Sequence, residues 1–242
     1  MIPARTLLSN FDAALFDLDG VLTPTAEVHQ HAWAQVLGGY LAEHCPSQPY
    51  TSADYFAFID GKPRYDGVRA LLASRSLALP DGVPSDSPEV DTVCGLGNRK
   101  NQAFAAVLAS GGVQPYPGSA ALLDELADLG IQVAVVSSSA NATEVLRAAG
   151  LLSRFPVIID GAVAAAEGLP GKPAPDTFVR AAARLGVPVQ RAAVIEDAVS
   201  GVRAGKAGGF GLVIGVDRGA GPDLLLAAGA DLVVSDLAEL LD

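Results

Sequence analysis

Four short stretches of this chain hold the residue types that chemistry needs. Asp17 and Asp19 stand two apart, Ser137-Ser-Ser139 is a run of hydroxyls, Lys172 is followed by a proline, and Glu196 adjoins Asp197. Two carboxylates held as close as Asp17 and Asp19 do not both ionise cheaply unless a cation neutralises them. Glu196 and Asp197 add more negative charge of the same kind. An all-oxygen set without His or Cys selects a hard divalent ion, and Mg²⁺ fits best. Lysine and serine hydroxyls chelate metals poorly but suit phosphate oxygens. Together the set reads as phosphoryl transfer: cation and lysine screen the charge of an incoming phosphate while a carboxylate attacks it. Each piece alone has a plainer reading. Asp17 and Asp19 fit a turn, the serines fit a helix cap, Lys172 fits a solvated loop, and Glu196-Asp197 fits a helix N-terminus. Only convergence on one edge of a sheet favours chemistry.

That convergence is what the pattern of elements predicts. Ala13-Ala-Leu-Phe-Asp-Leu-Asp19 is an apolar run that ends in carboxylates and Gly20, as a buried parallel strand with a functional C-terminal end would. Similar runs recur at 131–137, 156–160, 192–196, 210–216 and 231–235. Helical patterns separate them near 119–129, 141–149, 175–185, 198–207 and 222–228. The alternation predicts βαβ units and a Rossmann-like, doubly wound parallel sheet. Ligands of such sheets bind at the C-terminal strand ends. All four chemical stretches fall there.

Residues 24–112 differ. They hold few β-branched runs, show helical periodicity around 26–42, 64–76 and 98–109, and carry the only Trp, all three His and both Cys. They read as an all-helical domain inserted into the α/β domain, which takes residues 1–23 and 113–242. The two connections would be hinges.

Composition sets the outer bounds. Of 242 residues, 50% are hydrophobic and 18% charged, which excludes a disordered chain. A formal charge of −11 repels nucleic acid and anionic membranes, so neither is an expected partner. No run approaches the ~18 apolar residues that span a bilayer, and no signal-peptide pattern follows Arg5. Cys45 and Cys94 match no disulfide framework or metal spacing, and they read as free thiols of a cytoplasmic protein. A monomer is expected.

With these residues in view, the sequence resembles a known family. Phe16-Asp-Leu-Asp-Gly-Val-Leu22, Val136-Ser-Ser138, Gly171-Lys-Pro-Ala-Pro-Asp176 and the stretch from Val194 to Gly205 look like the four motifs of the haloacid dehalogenase (HAD) superfamily. The helical insert is similar to that superfamily's C1 cap. Thr25-Ala-Glu-Val-His-Gln-His-Ala-Trp33, Asp60-Gly-Lys-Pro-Arg-Tyr-Asp-Gly67 and Asn98-Arg-Lys-Asn101 resemble the β-phosphoglucomutase-like group.

The resemblance implies roles residue by residue. Asp17 would be the nucleophile that becomes an aspartyl phosphate. Asp19 would be the general acid/base, and its backbone carbonyl a metal ligand. Ser137, Ser138 and Lys172 would hold the transferring phosphoryl group, and Asp17, Glu196 and Asp197 would coordinate Mg²⁺. In the cap, Arg64 would bind the second phosphate of a sugar phosphate or bisphosphate, with His29, Lys100 and the core residue Asn141 as further substrate contacts. The implied reaction interconverts β-glucose 1-phosphate and glucose 6-phosphate; a phosphatase for small phosphomonoesters would use the same four motifs. Two positions depart from the group's pattern. Pro24 stands where a second aspartate is usual, and Ala140 stands where mutases commonly have a lysine, which removes one phosphate contact.

Overall fold

The computed structural model describes residues 7–241. Six strands form one sheet: β1 (Ala13–Phe16), β2 (Gln132–Val136), β3 (Val157–Ile159), β4 (Ala192–Glu196), β5 (Leu212–Val216) and β6 (Leu232–Val234). Their order is β3-β2-β1-β4-β5-β6, and every pairing is parallel. The α/β class and the doubly wound sheet expected from the apolar runs are therefore present. β1, β4 and β5 are buried at every residue, as strands covered on both faces must be.

Helices from Pro117 onward supply that cover. Numbered in chain order, α1 (Thr25–His44), α2 (Arg64–Ser74) and α3 (Val93–Gly111) precede α4 (Pro117–Asp128). Then come α5 (Ala142–Ala148), α6 (Gly161–Glu167), α7 (Asp176–Leu185), α8 (Val199–Ala207) and α9 (Pro222–Ala228). In α7, Thr177, Phe178, Ala181 and Ala182 form the buried stripe of a helix with one apolar face. Phe178 and Ala181 pack in one cluster with Leu15, Val136, Val194 and Val213 from the strands.

The chain divides into two compact units. One runs up to Pro24 and resumes at Val113; the other is Thr25–Gly112. The second unit has its own apolar cluster, in which Trp33, Leu37 and Leu41 of α1 meet Val68 and Leu71 of α2 and Leu96 of α3. It also holds a short helical segment, Ser52–Asp54, that runs into a wide turn at Tyr55–Ile59. No helix among the described residues is long and apolar enough to cross a membrane.

The first strand is shorter than its apolar run. It stops at Phe16, so Asp17 and Asp19 sit on the turn that follows rather than on a strand. The Leu18 carbonyl accepts the N–H groups of Leu22 (2.9 Å) and Thr23 (3.1 Å), and Gly20 adopts φ 85°, a left-handed conformation that favours glycine. Local hydrogen bonding thus ends the ladder before the apolar run is spent.

Candidate active site

Register brings the first acids together. Phe16 pairs with Ile195 across β1 and β4, so Asp17, just past β1, and Glu196, the last residue of β4, emerge side by side. The Asp17 N–H donates to the Ile195 carbonyl at 2.9 Å, which fixes its backbone. Lys172, on the segment before α7, reaches between the two. Its ammonium donates to Asp17 Oδ1 and to Glu196 Oε1, each at 2.5 Å, and to the Val136 carbonyl at 3.0 Å. Glu196 is fully buried and its Oε2 also accepts the Ala198 N–H at 2.8 Å. Asp197 joins them: one carboxylate oxygen each from Asp17, Glu196 and Asp197 lie within 4.8 Å of one another.

Charge is unbalanced here. By formal count three carboxylates face one ammonium, so with all of them ionised a site shielded from water would be two positive charges short. The Asp17 carboxyl is pushed well above the usual carboxylate range, chiefly by burial and further by Glu196 and Asp19, although Lys172 opposes the shift. Burial acts to lower the Lys172 ammonium, but Asp17 and Glu196 outweigh it and raise it instead, so the lysine stays charged. The donor set is all oxygen, buried and short of two positive charges, and so fits one divalent cation.

Around this centre stand two loops. Asp19 is half-buried and bridges to Thr23. Ser137, just past β2, places its hydroxyl 3.4 Å from Asp19 Oδ2 and accepts the Ser139 N–H at 3.1 Å. Ser138 and Asn141 are half-buried on the same loop, and the Asn141 N–H donates to Ser139 Oγ at 3.2 Å. Direct side-chain contacts thus join Lys172 to Asp17 and Glu196, with Asp197 beside them, and join Ser137 to Asp19. The acidic trio does not include the Asp19 side chain.

Within the second unit, the three singled-out residues fall into two groups. His29 is stacked on Phe104, ring centroids 4.0 Å apart, and its Nδ1 accepts a short hydrogen bond from the Lys100 ammonium. An ammonium has no lone pair, so Lys100 must be the donor. Lys100 also lies over Trp33 and Phe104, 5.2 and 4.9 Å from the ring centroids. Arg64, at the start of α2, donates to Asn101 Oδ1 at 2.8 Å and to Asn98 Oδ1 at 3.4 Å. Burial holds its guanidinium below its ordinary value, opposed by Tyr65.

Comparison with known proteins identifies the fold's lineage. The model of haloacid dehalogenase-like hydrolases matches residues 11–209. The chain belongs to this family. Among curated relatives, the β-phosphoglucomutase of Mycobacterium bovis is 48% identical over 240 residues, 95% of this chain and 91% of that protein. The β-phosphoglucomutase of Bacillus subtilis is 33% identical over 231 residues, 94% and 91% of the two chains. A solved structure of CbbY from Rhodobacter sphaeroides in complex with xylulose-(1,5)bisphosphate superposes with a TM-score of 0.73 at 26% identity, covering 95% of this chain and 96% of that one.

In this HAD-like hydrolase several residues that pack against the candidate side chains within each unit escaped the sequence reading as functional candidates. Gly201, in the first turn of α8, lies so close to Glu196 that a Cβ there would sit 1.7 Å from Oε1. At Gly97 a Cβ would meet the Tyr65 ring at 2.8 Å and Arg64 Cδ at 3.0 Å, so α3 must be bare there for the start of α2 to pack against it. Asn98 donates to the Pro84 and Asp86 carbonyls, at 3.0 and 2.9 Å, while its Oδ1 accepts from Arg64 and from the Tyr65 hydroxyl. The signal for Asn98 was present, since it opens the Asn98–Asn101 stretch that resembles the family. Its link to a turn-rich loop is not visible in one dimension.

Proposed function

We propose that this chain is a β-phosphoglucomutase that moves a phosphoryl group between the C1 and C6 oxygens of glucose through an aspartyl phosphate on Asp17. The observation that carries this reading is the buried meeting of Asp17 with Lys172, Glu196 and Asp197 at the ends of β1 and β4. The 48% identity to the mycobacterial enzyme supports the choice of substrate. Asp17, Glu196 and Asp197, with the Asp19 carbonyl, would hold Mg²⁺. When bound, the ion supplies charge neutralisation for the transferring phosphate.

The chain's own residues account for the rest. Asp17, fixed by the neighbouring strand, attacks phosphorus with a carboxylate oxygen while the bond to the sugar oxygen breaks. Asp19 protonates that oxygen; in the reverse direction it takes the proton from the attacking hydroxyl. Lys172, Ser137 and Ser138 receive the phosphoryl oxygens. Arg64 grips the phosphate that is not reacting, in a fork suited to two oxygens, with Asn141, His29 and Lys100 as further substrate contacts. Residues 24–112 would act as the cap that keeps water from the phosphorylated aspartate, which is what separates a mutase from a phosphatase. We also infer a cytoplasmic monomer that acts on a small sugar phosphate and engages neither nucleic acid nor membrane.

The test is incubation with Mg²⁺ and β-glucose 1-phosphate, with and without β-glucose 1,6-bisphosphate, following glucose 6-phosphate and free phosphate together. The expected product is glucose 6-phosphate, formed faster when the bisphosphate primes Asp17. Abundant free phosphate without glucose 6-phosphate would overturn the mutase in favour of a phosphatase.

A further inference from the structure

One arginine far along the chain is tied to the turn that carries Asp19. Arg218 lies between β5 and α9, 198 positions from Gly20, yet its Nε donates to the Gly20 carbonyl at 2.8 Å. A second nitrogen donates to the Ser235 carbonyl at 2.9 Å, and a third lies 3.6 Å from Asp236 Oδ2. The guanidinium also stacks on Tyr116, 4.0 Å from the ring centroid. Its side chain is 20% exposed.

What the arginine grips matters more than how many bonds it makes. The Gly20 peptide follows Asp19 directly, and its N–H donates to the Thr23 carbonyl at 2.8 Å. With Arg218 on the carbonyl, glycine 20 is fixed on both sides although it is the most freely rotating residue of the turn. The return crossing of the chain is bound to the same turn. The Tyr116 N–H donates to the Leu22 carbonyl at 3.0 Å, and Ser119 Oγ donates to the Val21 carbonyl at 2.6 Å. Arg218 therefore meets the turn twice, once through Gly20 and once through Tyr116.

We propose that Arg218 is a positioning residue for Asp19. It holds the 18–23 turn so that the Asp19 carboxyl stays aimed at the oxygen that gains or loses a proton. The inference rests on the reading of Asp19 as general acid/base. In the step concerned, the bond from phosphorus to the sugar oxygen breaks as Asp17 bonds to phosphorus, and the Asp19 proton passes to the departing oxygen. A donor whose leaving group needs no proton makes no such demand. Acetyl phosphate, which releases acetate, is one.

The experiment measures phosphorylation of Asp17, by rapid quench and mass spectrometry with Mg²⁺ present, from two donors: acetyl phosphate and β-glucose 1,6-bisphosphate. Arg218→Ala is expected to slow transfer from the bisphosphate about 30-fold while changing transfer from acetyl phosphate less than about twofold. Arg218→Lys, which keeps one donor, should fall between. Hydrogen exchange supplies a readout free of activity: the amides of Gly20, Leu22 and Thr23 should lose protection in Arg218→Ala while those of β5 keep theirs. Equal loss on both donors, or unchanged exchange in the turn, would overturn the inference. Asp19→Asn is the control for the reading beneath it. If Asp19→Asn slows both donors equally, or the wild-type protein takes phosphate from neither, the acid/base reading fails. A selective Asp19→Asn beside an unselective Arg218→Ala sinks the positioning role alone.

Discussion

Gly201 sits against Glu196 with no room for even one carbon between them: a Cβ at position 201 would lie 1.7 Å from Oε1 and 2.0 Å from Cδ. The helix that follows β4 thus begins by pressing bare backbone onto a carboxylate that also takes a Lys172 hydrogen bond.

Gly201→Ala must therefore displace Glu196 or lift the first turn of α8. A displacement on the order of 1 Å is expected to lower kcat about 100-fold. Steady-state kinetics at several Mg²⁺ concentrations would check this, and the variant should also need more Mg²⁺ for half its maximal rate. Unchanged kinetics would mean that the position of Glu196 does not matter to the chemistry.

The surplus of negative charge around Asp17 implies opposite effects on activity and stability. Asp17→Asn should abolish turnover and any acyl phosphate, yet raise the melting temperature in EDTA by the equivalent of about 1 kcal/mol, because a strained functional charge is gone. In the wild type, Mg²⁺ should raise stability saturably, by about 2.7 kcal/mol at a hundredfold excess over Kd. Calorimetry with and without EDTA measures both. A wild-type melting temperature indifferent to Mg²⁺ would contradict the cation fit.

Arg64 is held ready by Asn98 and Asn101. Arg64→Ala is expected to cost about 100-fold in kcat/KM for β-glucose 1-phosphate, the scale of a charge-assisted fork, with a much smaller effect on hydrolysis of a simple aryl phosphate. Asn98→Ala removes one of two supports, and a loss of about fivefold is expected, mainly in KM. Equal losses on both substrates would make Arg64 a packing residue.

Acid should act on the second unit through Asp54. The Arg75 guanidinium donates to both of its oxygens at 2.7 Å, and Thr51 adds bonds from N–H (2.8 Å) and hydroxyl (3.0 Å). Burial pushes the carboxyl up, but these hydrogen bonds outweigh it and hold Asp54 below its ordinary value. A lowered folded-state pKa means stabilisation that is complete above the unfolded value of about 3.9 and is lost as pH falls through the folded one. Asp54→Ala should cost about 3 kcal/mol at pH 7. Below pH 4 the wild type should lose stability more steeply than Asp54→Asn, as urea midpoints from pH 2.5 to 6 would show.

Much of the sheet was legible because buried parallel strands write themselves as apolar runs. Strand ends were less so: the run through Leu18 hides a turn that depends on hydrogen bonds between residues four and five apart. α6, Gly161-Ala-Val-Ala-Ala-Ala-Glu167, was missed because a chain of small residues has no contrast between faces. The start of α3 was placed five residues late, since Gly95 and Gly97 weaken a helical pattern, yet Gly97 is where Tyr65 and Arg64 need space. The segment Ser52–Ile59 escaped because its turns widen from one helical spacing to another. That Asp17 and Glu196 meet was readable from their places at strand ends, whereas Lys172 reaches them from the segment between α6 and α7. The contacts of Gly201 with Glu196, of Asn98 with Arg64 and of Arg218 with the Gly20 carbonyl were not readable, because only the folded chain creates them.

The hydrophobic cluster under the sheet and the one around Trp33 share no residue. The one under the sheet draws nothing from 25–112, and the one around Trp33 draws on nothing else. A substitution confined to one of these clusters therefore removes no packing partner from the other. A design effort can accordingly treat the Trp33 cluster and the cluster under the sheet as two separate packing problems, each with its own set of residues.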